Sequence, residues 1–215
     1  IHGGNSKSFY GGAIRGEALD LRPYTGIIDY EPKELVLTVR AGTPLSEIEA
    51  VMETSGQMLP FEPPYYSDAA TIGGTVATGL SGPRRASVGA VRDFVLGLGC
   101  MDAQGRELQF GGQVMKNVAG YDVSRALAGS MGQLGLITEV SLKVLPVPPA
   151  QSSFVVRMKQ AAALDQLQRW AGLPLPLNAS SWAPVSLGSD RAPDGSGGAS
   201  GEPTDDGYLI VRLRG

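Results

Sequence analysis

Residues 34–61, ELVLTVRAGTPLSEIEAVMETSGQMLPF, show the sharpest change of hydrophobic period in the chain. Leu35 to Val39 alternates with β-branched residues and predicts a strand. Thr43 then predicts a helix N-cap, with Pro44 at the first helical position, where a missing N–H costs nothing. Leu45, Ile48 and Met52 fall on one apolar stripe, and Gly56 marks the stop. A short strand near Gln57 to Pro60 completes a predicted β-α-β unit.

From Ser67 to Gly82, SDAATIGGTVATGLSG, both periods give way to small residues and glycine. VRDFVLGLGCMDAQGREL (91–108) then reads as strand, turn at Ala103-Gln104-Gly105, and returning strand. After Gly111-Gly112, residues 121–135 read as helical up to Ala128, and GLITEVSLKVLPVP (135–148) as a strand ending in prolines. The run Pro146-Val147-Pro148-Pro149 predicts a boundary between a domain over 1–149 and a partial one over 150–215. In the latter, residues 152–158 predict a strand and Ala161 to Trp170 a helix. A flexible Gly/Ser/Pro/Asp loop is expected over about 186–207, before a strand in YLIVRLRG. Trp170 and Trp182 are expected in the core.

The 215 residues are 42% apolar and 18% charged, as in an ordinary globular protein. A net charge of −3 argues against nucleic acid or an anionic membrane held by bulk charge. Cys100 is the only cysteine, which excludes an internal disulfide, an iron–sulfur cluster and a thiolate zinc site and fits a reducing cytoplasm. No apolar run approaches the roughly 20 residues that span a bilayer. The chain lacks an initiator methionine and starts inside a motif, so a fragment missing its first strand and its C-terminal part is expected.

Glycine is the outlier, at 30 residues gathered in clusters. In HGGNSK, glycine permits φ > 0 and lets consecutive N–H groups form a concave anion nest, with Ser6 and Lys7 adding a hydroxyl and a charge. An ordinary turn is the plain alternative. In ATIGGTVATGLSG, Thr71, Thr75, Thr78 and Ser81 interleave with glycine; the alternative there is a tight corner under a closely packed helix. Neither G-x-G-x-x-G nor G-x-x-x-x-G-K-[ST] is present. His2 is the only histidine, which removes a Ser-His-Asp triad and His-rich metal sites. Arg84, Arg85, Arg92 and Arg125 are candidates for a carboxylate or phosphate, with surface solvation as the alternative. Asp93 buttresses a loop or sits in a surface turn, and Tyr121 and Asp122 are expected to cap the next helix.

The ordered motifs IHGGNSKSFYGG, DAATIGGTVATGLSGPRRASVGAVRDFVLGL and KNVAGYDVSRALAGSMGQLGLITEVSLKVLP resemble the FAD-binding domain of the vanillyl-alcohol oxidase / p-cresol methylhydroxylase family, and within it the FAD-binding E-type subunits of bacterial glycolate oxidases. The resemblance implies an α+β fold, with two α/β subdomains clasping FAD and the start of a cap domain. It places the FAD diphosphate on Gly3, Gly4, Asn5, Ser6 and Lys7. The diphosphate and flavin side would lie along Asp68, Ala69, Ala70, Thr71, Ile72, Gly73 and Gly74, then Thr78, Gly79, Ser81 and Gly82. The nucleotide end would meet Gly132, Gly135, Ile137 and Thr138, and KNVAGYD (116–122) would lie near the flavin ring.

Relatives with covalent FAD carry histidine where this chain has Asn5, so the FAD is expected to be non-covalent. The implied role is the FAD-bearing subunit of a complex oxidising glycolate or D-lactate, beside a second flavin subunit and an iron–sulfur subunit. The expected place is cytoplasmic, peripheral to the membrane through those partners. Alternatives are a structural or electron-relay flavin subunit without its own substrate site, and the FAD domain of a molybdenum hydroxylase. No catalytic base is assigned.

Overall fold

Two strands rich in β-branched residues lie at the heart of the fold because both of their faces are covered. In the computed structural model, which describes residues 1–10, 12, 16–112, 121–185 and 205–215, the chain forms two compact units, Ile1–Val147 and Pro148–Gly215. The first contains β1 (Ile27–Glu31), β2 (Val36–Arg40), α1 (Leu45–Glu53), β3 (Gln57–Met58), α2 (Ile72–Thr78) and α3 (Arg85–Val88). It continues with β4 (Val95–Met101), β5 (Glu107–Gly111), α4 (Val123–Leu127), β6 (Leu136–Lys143) and β7 (Leu145–Pro146).

The main sheet has the order β1-β2-β6-β4-β5, and every adjacent pair is antiparallel. In β2 and β6, Leu37, Val39, Val140 and Leu142 are fully buried. Thr38 and Ser141, opposite one another in the register, satisfy each other through a 2.9 Å hydroxyl–hydroxyl bond. The stripe Leu45, Ile48 and Met52 of α1 is buried as its spacing predicts. Phe61 is also fully buried, with its ring 6.1 Å from that of Phe94.

Several expectations change. Pro44 itself is the N-cap of α1, while the Thr43 hydroxyl donates to Arg40 O (2.7 Å) and accepts from Gly26 N (3.0 Å). A tertiary partner has taken the hydroxyl that a cap would need. The strand after α1 does not return to the sheet of β2: β3 pairs with β7 in a separate two-stranded ladder. The strand β1, which mixes acidic residues with its apolar ones, is an element the periodicity did not signal.

The glycine-rich stretch after Ser67 contains a helix. Thr71 caps α2 by accepting from Gly74 N (3.3 Å), and Gly79 ends it in the left-handed region at φ 67°. Gly73 is required by close approach: an added Cβ would lie 2.6 Å from the Ala41 Cβ and 2.8 Å from the Ala41 carbonyl oxygen. The β4–β5 hairpin turns where expected, with Asp102 accepting from the Gln104 and Arg106 amides and Gly105 at φ 76°.

The second unit holds β8 (Gln151–Lys159), α5 (Gln160–Ala171), β9 (Leu177–Pro184) and β10 (Asp206–Arg214), in a sheet ordered β8-β10-β9. Trp170 and Trp182 pack against its core of Ala163, Leu209 and Val211. The polar, proline-ended β9 carried no strand signal. Of the loop expected over 186–207, residues 186–204 lie outside the described residues, and Asp206 and Gly207 belong to β10.

Truncating Phe61 to alanine is expected to cost the first unit about 3–5 kcal/mol in denaturant unfolding, as a buried aromatic leaving a cavity does; a loss below about 1 kcal/mol contradicts this packing. Gly73→Ala is a sharper test because two effects oppose. Helix propensity favours alanine by about 1 kcal/mol, whereas the Ala41 backbone cannot yield without moving the turn that precedes α1. Net destabilisation is expected, and a rise in midpoint contradicts the close approach.

Candidate functional site

Three stretches far apart in sequence wall one cavity of about 420 Å³ within the first unit. That volume falls in the range of small-molecule and cofactor sites, roughly 300–1,000 Å³.

The first wall is the N-terminal loop. Its start is anchored by a parallel bridge, in which His2 N donates to Leu19 O and Leu21 N to His2 O, both at 2.9 Å. Between them, Asp20 is locked to Arg22 (2.7 Å), whose hydrogen bonds hold the Asp20 carboxyl down at about 2. His2 donates from Nδ1 to Gly3 O (3.0 Å) and lies 3.8 Å from Asp20, which ties it into the anchor.

The loop then settles onto the segment before α2. A Cβ on Gly3 would collide with the Thr71 hydroxyl, and one on Gly4 with the Ala69 carbonyl. Asn5 turns the chain at φ 52°, a left-handed conformation that asparagine tolerates better than most side chains. Among the described residues, the amides of Gly3, Gly4, Asn5, Ser6 and Lys7 donate to no acceptor. Five consecutive open N–H groups are the material of an anion nest. Lys7 is half-buried in the same wall, and burial pulls its ammonium below the ordinary lysine range.

The second wall is Thr71, Gly73, Gly74, Ala77 and Thr78 of α2 and its cap. Most of its donors are already used, so it offers fewer bare amides and free hydroxyls than expected, although the Thr71 hydroxyl itself only accepts, from Gly74 N. Gly73 N donates to Ala41 O (2.8 Å), and the Thr75 and Thr78 hydroxyls donate to Thr71 O and Gly74 O (both 2.9 Å). This wall therefore offers a smooth small-residue surface. The third wall, Met131 to Gln133 and Gly135 to Ile137, is stitched to it by Gly129 N to Val76 O (2.9 Å) and Met131 N to Ala77 O (2.8 Å).

The cavity thus gathers Gly3, Gly4, Asn5, Ser6, Lys7, Thr71, Gly73, Gly74, Thr78, Gly132, Gly135 and Ile137. The other candidates lie off it. Asp68 is exposed, Ala69 lies under Gly4, and Ala70 and Ile72 are in the core. Gly79 caps α2, Ser81 accepts from Val91 N (2.9 Å), and Gly82 abuts the Glu62 backbone. The Thr138 carbonyl accepts from Ala41 N (2.7 Å).

Ala77, one turn along α2 from Gly73, also lines the cavity and could have been found by helical spacing. Leu21 and Ala41 line it too, but only tertiary structure brings them there.

Residues 116–120 of KNVAGYD lie outside the described residues. Asp122 caps α4 by accepting from Arg125 N (3.2 Å), whereas Tyr121 is fully exposed. Arg84, Arg85, Arg92 and Arg125 do not line the cavity. Arg84 is buried beside Met58, and Arg125 pairs with Asp122 (2.8 Å) and Asp93 (3.6 Å). Asp93 buttresses its own turn by accepting from Ala90 N (2.8 Å). Among the described residues, no cluster of three or more His, Cys, Asp or Glu is placed to hold a metal.

A family model described as FAD binding domain matches residues 1–111. The chain is 52% identical over 178 residues to glycolate oxidase subunit GlcE of Escherichia coli (strain K12), a match covering 83% of this chain and 51% of that protein. It is 32% identical over 149 residues to a D-lactate dehydrogenase of Anaerostipes hadrus, covering 68% of this chain and 31% of that one. Glycolate oxidase subunit GlcD of Bacillus subtilis (strain 168) is 31% identical over 140 residues, covering 65% and 30%. The chain therefore spans about half the length of the first relative and under a third of the other two. A solved structure of alkyldihydroxyacetonephosphate synthase superposes with a TM-score of 0.71 at 22% identity, over 91% of this chain and 38% of that chain, and shares the fold. The family match opens on the cavity's first wall and runs through β5, more than half of the chain, and on that span this protein belongs to the FAD-binding domain family.

Proposed function

We propose that the cavity holds FAD without a covalent bond, and that the chain is the FAD-bearing part of a 2-hydroxy-acid oxidoreductase of the glycolate or D-lactate type. The observation that carries this is the wall of five open amides beside a half-buried lysine, facing small-residue surface from α2. Backbone N–H groups and an ammonium suit a diphosphate. Ala77, Leu136 and Ile137 offer the apolar contact that aromatic rings need. When bound, FAD supplies two-electron redox chemistry. The protein's part is to bind and orient it and to keep the anion's charge matched. Asn5 offers no nucleophile for a covalent link, and His2 is held by Gly3 and Asp20.

The relatives named as glycolate oxidase subunits support a multi-subunit assembly. We place this chain beside a second flavin subunit and an iron–sulfur subunit, cytoplasmic and peripheral to the membrane through them. No helix among the described residues is long and apolar enough to cross a membrane. A relay role, with substrate oxidised on the other flavin, is favoured by one observation: the chain's single histidine is engaged in anchoring its N-terminal loop.

The functional test is the visible spectrum of the protein purified with its partner subunits, before and after glycolate. Bleaching of flavin absorbance is expected in the assembled complex, and a preparation that is never yellow overturns the reading. If this subunit's flavin bleaches only when the second flavin subunit is present and intact, the relay role holds.

Lys7 allows a second test. Its ammonium is the form that attracts phosphate, and burial lowers its pKa. FAD affinity is therefore full below that pKa and falls as pH rises through it. Lys7→Met is expected to weaken FAD about tenfold and to flatten both pH and salt dependence in fluorescence titrations. Unchanged affinity removes Lys7 from the site.

A further inference from the structure

A lysine side chain is a point charge on a flexible four-carbon stem, so a lysine that must meet a ligand needs something to hold its end in place. Lys7 Nζ lies 5.9 Å from the centroid of the Tyr66 ring, within reach of a cation–π attraction. Tyr66 in turn meets Phe9 edge to face, with centroids 5.0 Å apart and planes at 67°.

Lys7 lines the cavity; neither ring does. Both rings are largely exposed, Phe9 at 64% and Tyr66 at 51%, so burial does not account for where they stand. Their places in the chain do. Phe9 sits inside the turn closed by Tyr10 N to Lys7 O (2.9 Å). Tyr66 directly precedes the turn closed by Ala70 N to Ser67 O (3.1 Å), whose Ala69 carbonyl is the seat of Gly4. The cation–π contact thus bridges the same two segments that the glycines join, on the outer side of the cavity wall.

We propose that Tyr66, braced by Phe9, is a positioning residue that holds the Lys7 ammonium at the cavity rim for the phosphates of the cofactor. This rests on the cofactor reading above. The ring's negative face keeps the cation charged and aimed where water would otherwise let it wander.

The test is a double-mutant cycle read as the FAD dissociation constant by flavin fluorescence, on purified proteins whose cooperative thermal unfolding is verified. Tyr66→Leu is expected to weaken FAD about three- to tenfold, and Tyr66→Phe, which keeps the ring, to stay within about twofold. Phe9→Ala is expected to give a smaller loss in the same direction. In the Lys7→Ala background, Tyr66→Leu is expected to add nothing.

An equal loss in both backgrounds overturns the proposal, because the ring would then act without the lysine. Equal losses for Tyr66→Phe and Tyr66→Leu overturn it as well, assigning the effect to the hydroxyl. Wild-type affinity in Lys7→Ala alone fails the reading of Lys7 as a cofactor ligand and the proposal with it. Wild-type affinity in Tyr66→Leu together with a large loss in Lys7→Ala fails only the proposal.

Discussion

Everything at the cavity depends on how closely two backbones approach. The N-terminal loop and the segment entering α2 meet with Gly3 and Gly4 set directly against Thr71 and Ala69, where no side chain could fit. The amides from Gly3 to Lys7 have no intramolecular acceptor among the described residues, and these residues line the shared cavity. On the other side, Gly73 brings α2 against Ala41 and so fixes the second wall to the central sheet. The glycines are therefore placed by the close approach of backbones first, and the cavity's walls are the result.

The two walls divide the work. The loop contributes unsatisfied donors and one desolvated cation; α2 contributes shape, because its amides and threonine hydroxyls are already paired. An anion bound here would be recognised mainly by main-chain dipoles, which need no side-chain ordering and little reorganisation. The anchor at His2, Asp20 and Arg22 lies outside this division, holding the loop's start so that its open amides stay where they are.

Much of this was legible along the chain. The stripe Leu45, Ile48 and Met52, the hairpin around Gly105 and the strand after Gly135 follow from periodicity and turn chemistry alone. The three motifs also pointed to one ligand. What could not be read is what distant partners decide. Thr43 looked like a cap until Gly26 and Arg40 claimed its hydroxyl. α2 looked irregular because two glycines cost a helix about 1 kcal/mol each, and only packing against Ala41 and capping by Thr71 restore it. The division of candidates into cavity and core, such as Gly73 and Ile72, adjacent yet on opposite sides, depends on the helix that the sequence concealed.

The most direct measurement is a crystal structure of the flavin-loaded protein. The account predicts diphosphate oxygens within about 2.7–3.2 Å of the amide nitrogens between Gly3 and Lys7, with α2 contacting the cofactor by shape alone. A diphosphate bound elsewhere, with those amides facing only water, would contradict it.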